Sequence, residues 1–433
     1  MRAAAATVIP GPDRRRRGVL GAEGTGRGAT GYQQRGARVR STGRPSANGT
    51  DDVRRTDRRR RAGRRGKRRT RGRAHGDATG PVHDGPDTTG RDAGRERRPG
   101  SDAAGVLVLA ACAAWALITG AVHQGRPEGV LLAVLAVAAG YACGRIGGAL
   151  LPVAAPCAGA LAGAALAVTG PGLAAGPRPA ASLGQVGATA AVLALSTGAA
   201  CCAARAASAP ALRLGLHLMA VAVATTAVAA SAGAVICCAG VLLGSPAVGR
   251  TRHRGAVLAV LAAVPVVVAG TIWALAARAL PGEAAGVLAD LLTGHRVGLW
   301  QEALSLAHRH PVAGIGPGRF ADFSTVAAPH PLPDGTPHSA LLQQAVEQGL
   351  VGVALSAAAW VWVMHALWRS ERPTPVVLAA GVALTVVASV ALLGDALSFT
   401  AVPVGAGLLA GMATARPLTE ETGAEETGVP ESA

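Results

Sequence analysis

Ten runs of mostly apolar residues, each near the length of a bilayer-spanning helix, dominate residues 101–415. A helix needs about 20 such residues to cross the hydrocarbon core. The runs fall at 103–122, 128–143, 147–169, 185–204, 211–228, 230–246, 255–277, 349–368, 374–393 and 398–414. They predict an all-α polytopic membrane protein of about ten transmembrane helices. The stretch 214–244 is the exception in length, reaching roughly 46 Å as one helix. That is too long for one untilted span, so two short spans are expected there.

Charge tests the split. The chain carries a net charge of +17, and residues 1–100 hold all of it, with 27 basic against 10 acidic residues. From residue 101 onward, 15 of each sign cancel. Cytoplasmic loops of membrane proteins are enriched in Lys and Arg. With the tail inside and the split made, the inside loops carry Arg145, Arg205, Arg250, Arg252, Arg254, Arg369 and Arg372. The short outside loops carry only Arg126 and Arg178. Both termini are then cytoplasmic in a multi-pass protein of the plasma membrane, and the acidic tail 416–433 stays inside.

The basic tail 1–100 has arginine runs at 14–17 and 58–61 and no apolar periodicity, so it predicts disorder. Three readings stay open for it: an arm for nucleic acid or anionic lipid, a passive tail that fixes topology, and a true start lying downstream. Aromatics make up only 3% of the chain, too few for base-stacking platforms, which argues against a nucleic-acid partner. The seven cysteines lie in apolar runs without CxxC spacing. They read as small buried residues rather than a zinc site or disulfide framework. Gly140, Gly144 and Gly148 recur at four-residue spacing, a helix-packing signal. His217 and His365 read as interfacial or packed.

Residues 278–348 break the pattern. This segment is too polar to cross and too long for a simple connection, so it is expected to carry function. The topology puts it outside the cell. It holds His295, His308, His310, His330 and His338, together with Arg278, Arg296, Arg309 and Arg319. No His-x-x-x-His pair or carboxylate cluster accompanies them, so no metal is expected. Val297, Trp300, Ala303, Leu304 and Ala307 fall on one face of a helix over 296–308. That helix could lie flat on the membrane surface, ending before His310-Pro311. Gly314-Ile315-Gly316-Pro317-Gly318 has GxGxG spacing, which argues against a nucleotide loop. It suits a tight turn bringing backbone N–H groups and Arg319 near an anion. Thr336 is a plausible N-cap with Pro337 first in the next helix. His338 then falls in the first turn, where the helix dipole favours the neutral imidazole that a general base requires.

The quoted text resembles the O-antigen ligase/O-antigen polymerase (Wzy) superfamily of membrane glycosyltransferases. The matching pieces are Arg296 to Leu304, Pro311 to Phe320, and His338 to Gly352, following a pattern R…W…P…G(V/I)GxGxF, a variable insert, then HN…LQ…E.GxxG. Two departures stand out. Ser339 occupies the usual Asn position, and the Ser-Arg-Gly motif before the seventh span is degenerate, with Ser245 apart from Arg254-Gly255.

The resemblance implies a transfer that needs no metal or cofactor. A glycan would pass from a polyprenyl-diphosphate carrier to the hydroxyl of a glycan or glycolipid acceptor, within reach of membrane lipids. Arg296 and Arg319 would pair with the diphosphate, since guanidinium matches phosphate bidentately. His338 would accept the proton of the attacking hydroxyl. Trp300, Gly316, Gly318, Phe320, Ser339 and Glu347 would support them. Trp300 and Phe320 would line the site or anchor at the interface. Glu347, about 2.5 turns beyond His338, would orient or pack. A transporter and a non-catalytic family member are the alternatives. Against transport, the spans carry almost no charge and no inverted repeat of broken helices.

Overall fold

A computed structural model describes residues 100–173, 183–249, 251, 253–283, 286, 292, 294–324 and 336–416. The tail 1–99, His330, Arg178, Arg250, Arg252 and residues 417–433 lie outside these. Among the described residues every element is helical. The order is α1 Gly100–His123, α2 Glu128–Leu150, α3 Ala154–Leu173, α4 Leu183–Ala206, α5 Pro210–Ala230, α6 Ala232–Gly249, α7 Arg254–Ala276, α8 Gly294–Arg309, α9 Phe320–Phe323, α10 Ala340–Arg369, α11 Thr374–Leu393, a 3-10 turn Ala396–Ser398, and α12 Ala401–Thr414. Eight helices (α1, α2, α4, α5, α6, α7, α10, α11) are long and apolar enough to cross a membrane, while α3 and α12 hold shorter apolar segments. The protein is a multi-pass membrane protein.

The expected break in 214–244 falls at Ser231, between α5 and α6. The Ser231 backbone N–H closes α5 on the Ala227 carbonyl, and its hydroxyl accepts from the Ala234 N–H to start α6. One serine thus serves both helix ends.

The centre of the bundle is α4 with α11. Every residue of α4 from 190 to 204 is buried. Its sequence there is Ala, Gly, Ser, Thr, Cys, Val and Leu, small enough for neighbours to approach where lipid offers no hydrophobic drive for association. Ser196 and Thr197 donate to their own i−4 carbonyls at 2.8 Å each, so no hydroxyl is stranded in this core. The most extensive helix pair is α2 with α12. Gly140, Gly144 and Gly148 face Gly407 and Gly411 there, backbone against backbone. Cys143, by contrast, is exposed on the bundle surface rather than buried.

Basic residues gather at one end of the bundle. Arg145 at the end of α2 pairs with Asp102 at 3.2 Å. The Arg205 side chain lies beside Gly249. Arg254 donates to the Leu367 and Arg372 carbonyls. Arg372, buried, donates to the carbonyls of Ala415 (3.0 Å) and Gly148. Helix C-termini carry partial negative charge and free carbonyls, which these guanidiniums satisfy. The described residues of the 278–348 segment lie at the opposite end.

Candidate functional site

At that opposite end the polar segment builds a second small core. Leu299, Trp300, Ala303 and Leu304 of α8 pack against Ile272 and Leu275 of α7 and against Leu342 and Val346 of α10. The apolar face expected for α8 is therefore covered by protein rather than by the membrane surface. Phe320 belongs to this core, 1% exposed, and Trp300 is fully buried. Neither is an interfacial anchor.

Trp300 has a second task. Its Nε1–H donates to the Pro337 carbonyl at 2.9 Å, which fixes the chain one residue before His338. The helix beyond starts later than expected. Ser339 is its N-cap, and the first helical bond runs from the Gln343 N–H to the Ser339 carbonyl at 2.9 Å. Thr336 does not cap it, because the backbone at His338 leaves the helical region before Ser339. His338 therefore precedes the cap and sits outside the first turn, at φ 48 and only 7% exposed. A left-handed non-glycine residue costs on the order of 1–3 kcal/mol and persists where its surroundings hold it, often at functional sites.

The glycine turn forms as expected, with φ of 68, 99 and 71 at Gly314, Gly316 and Gly318. What it holds differs from expectation. Inside α10, Gly349 leaves the helix at φ 68 and ψ −166, which frees the carbonyls before it. The Ile315 N–H takes the Val346 carbonyl at 2.8 Å and the Gly316 N–H takes that of Glu347 at 3.0 Å. Trp115 Nε1 takes that of Gln348 at 3.0 Å. The Gly318 N–H and the Gln343 amide both donate to the Glu347 carboxyl. The group this turn cradles is thus the protein's own carboxyl. Glu347 is 5% exposed and packs beneath the turn.

Both expected diphosphate arginines sit at the ends of other helices. Arg296 Nη2 donates to the carbonyl of Leu393, the last residue of α11, at 3.1 Å. Its Nε is buried without a partner, and burial holds the guanidinium below its ordinary pKa. Arg319 Nη1 donates to the carbonyl of His123, the last residue of α1, at 2.7 Å. Its Nε lies 3.7 Å from Asp322, and its plane lies over Phe323 at 5.0 Å. Arg319 is thus largely committed within the protein, whereas Arg296 keeps a donor unused.

All of the expected site residues fall within or directly beneath this one cap. Residues 214–357 match the family model described as O-Antigen ligase, an interval that contains every one of them. Over these residues the chain is similar to the O-antigen ligase/polymerase superfamily. No curated protein and no solved structure matches the chain. At family level an O-antigen ligase domain means glycan transfer between a lipid-linked donor and a glycan acceptor.

Several contributors to this O-antigen ligase-like site escape a sequence reading. The α1–α2 connection seats on the glycine turn: the Arg126 N–H donates to the Pro317 carbonyl at 2.7 Å, and His123 lies against Gly316. Asp395, in the break between α11 and α12, lies within electrostatic reach of Glu347 and two residues from the carbonyl held by Arg296. A lone carboxylate beside a span carries no signal that could have pointed to it. His308 meets Trp273 edge-on, with ring centroids 6.2 Å apart, while His295 and His310 are exposed at the two ends of α8. Of the two span histidines, His217 is half-buried on α5, its Nδ1 2.7 Å from the Arg213 carbonyl, and His365 packs edge-on against Trp368.

Proposed function

We propose that the protein moves a glycan from a polyprenyl-diphosphate carrier to a sugar hydroxyl at the extracytoplasmic membrane surface, as an O-antigen ligase or polymerase. The observation that carries this is the held geometry of His338. It is strained, nearly buried, and fixed by the Trp300–Pro337 bond one helical turn from Arg296 along α8. In the reaction His338 takes the proton of the acceptor hydroxyl as its oxygen attacks the anomeric carbon. The bond from that carbon to the phosphate oxygen breaks, and the diphosphate leaves with the electron pair. Arg296 neutralises the leaving charge, with Arg319 in a lesser part, so no metal is required. The Arg-rich end of the bundle meets the cytoplasm by the positive-inside rule, which turns the cap outward.

Deletion of the gene followed by complementation tests this reading. Loss of a surface polysaccharide is expected in the null, and His338→Ala and Arg296→Ala are each expected to fail to restore it while accumulating normally in the membrane. Full restoration by both variants overturns the assignment.

A further inference from the structure

We infer that the start of α10 is a phosphate site: the Ser339 hydroxyl and the first backbone N–H groups of the helix hold an oxygen of the leaving diphosphate. This rests on the proposed glycan transfer and adds Ser339 to the groups that touch the donor.

The first three N–H groups after a helix cap have no acceptor within the helix. Here these belong to Ala340, Leu341 and Leu342. Serine is among the best residues for satisfying one of them with its side chain, a bond worth about 1 kcal/mol. Ser339 stands in the capping position, with extended backbone, and its side chain makes no such bond. Its Oγ is buried without a hydrogen-bond partner, in a residue 1% exposed. A buried hydroxyl left unpaired costs about 1–3 kcal/mol, so a partner for it is to be sought.

The neighbourhood says what kind of partner. The Trp300–Pro337 bond ties the α10 start to α8, and Arg296 lies one turn before Trp300 on that helix. Arg296 Nε is likewise buried without a partner. A guanidinium only donates, a hydroxyl can donate, and the helix start adds partial positive charge from N–H groups. Donors on two elements joined by that bond suit an anion with several acceptor oxygens. A phosphate is that anion, and helix starts are ready sites for one. The helix runs nine residues before Gly349 breaks it, enough to align its peptide dipoles.

The step balances as follows. The acceptor proton passes to His338, the new carbon–oxygen bond forms, and the anomeric carbon–phosphate oxygen bond breaks. The electron pair stays on the departing oxygen, where the Ser339 hydroxyl, the N–H groups and Arg296 meet it. Donors placed where charge develops lower the barrier to that cleavage.

Four variants of the purified full chain in lipid nanodiscs test the site: Ser339→Asp, Ser339→Asn, Ser339→Ala and Arg296→Ala. Binding of sugar-free polyprenyl diphosphate and of the matching monophosphate is measured, together with thermal stability and glycan transfer. Aspartate is as good a helix cap as serine, but its carboxylate occupies the N–H groups and repels phosphate. Ser339→Asp is therefore expected to keep or raise the melting temperature while losing roughly ten-fold or more in diphosphate affinity and transfer rate. Ser339→Asn is expected to stay within about three-fold of wild type, as a neutral donor. Should Ser339→Asp fail to fold, Ser339→Ala decides, with a smaller loss of affinity expected. Wild-type affinity and transfer in Ser339→Asp, or in Ser339→Ala where that variant decides, overturn the inference. If Arg296→Ala alone loses binding, the glycan-transfer reading survives without this site. If the wild type binds no polyprenyl diphosphate, that reading falls and this one with it.

Discussion

Trp300 Nε1–H reaches the Pro337 carbonyl at 2.9 Å, and on that bond the backbone of His338 is set. Phenylalanine fills most of the same volume without the donor. Trp300→Phe is therefore expected to cost about 1 kcal/mol of stability, the worth of one such bond. The turnover rate should fall by much more than that suggests, because the base loses its position. Melting curves beside transfer assays separate the two effects. The arginines differ in the same local way. Arg319 already serves His123 and Asp322, while Arg296 has a buried donor to spare. Arg296→Ala is expected to reduce transfer more than Arg319→Ala, and Arg319→Ala to lower thermal stability more. The reverse ranking would move the phosphate contact to Arg319. At this scale the sequence offers the residues but not their contacts. The histidine, the arginines and the glycines are visible as letters. That the glycine turn holds Glu347 instead of a ligand depends on carbonyls released elsewhere in the fold.

The break at Gly349 is the element on which the cap depends. A straight α10 would keep its carbonyls for itself and leave the Ile315 and Gly316 N–H groups without acceptors. A side chain at 349 would also meet the Val312 carbonyl and a left-handed backbone that favours glycine. Gly349→Ala is thus expected to lower the melting temperature sharply and abolish transfer, since left-handed strain of about 1–2 kcal/mol adds to the clash. Wild-type stability in that variant would show the break to be dispensable. Helix periodicity made α8 readable, its ends falling within two residues of expectation. The start of α10 was not, because a proline and a threonine together imitate a helix start. The left-handed backbone of His338, beside the bond from the distant Trp300 indole to Pro337, puts the start at Ser339.

The apolar runs told the helical, multi-pass architecture of the described residues, eight of the ten being long enough to span, because hydrocarbon thickness imposes a length that sequence must meet. The division at Ser231 was legible for the same reason. The cap's own core was not, since its apolar residues are scattered through a polar segment. Topology can be checked directly. In a background with the native cysteines replaced, Asp322→Cys is expected to react with a membrane-impermeant maleimide on intact cells, and Arg416→Cys only after the membrane is opened. The opposite pattern would put the cap in the cytoplasm and sink the mechanism. One feature of the far end bears on how the chain is made. Arg372 donates to the carbonyls of Gly148 in α2 and of Ala415 just past α12, and α2 packs most extensively against α12. A ribosome delivers these partners more than 260 residues apart. Until the last helix is inserted, the face of α2 lacks its cover and a buried guanidinium lacks one acceptor. Assembly is therefore completed from its final residues backward, and a chain cut short before residue 401 is expected to be cleared by quality control even though every residue of the 278–348 cap is present.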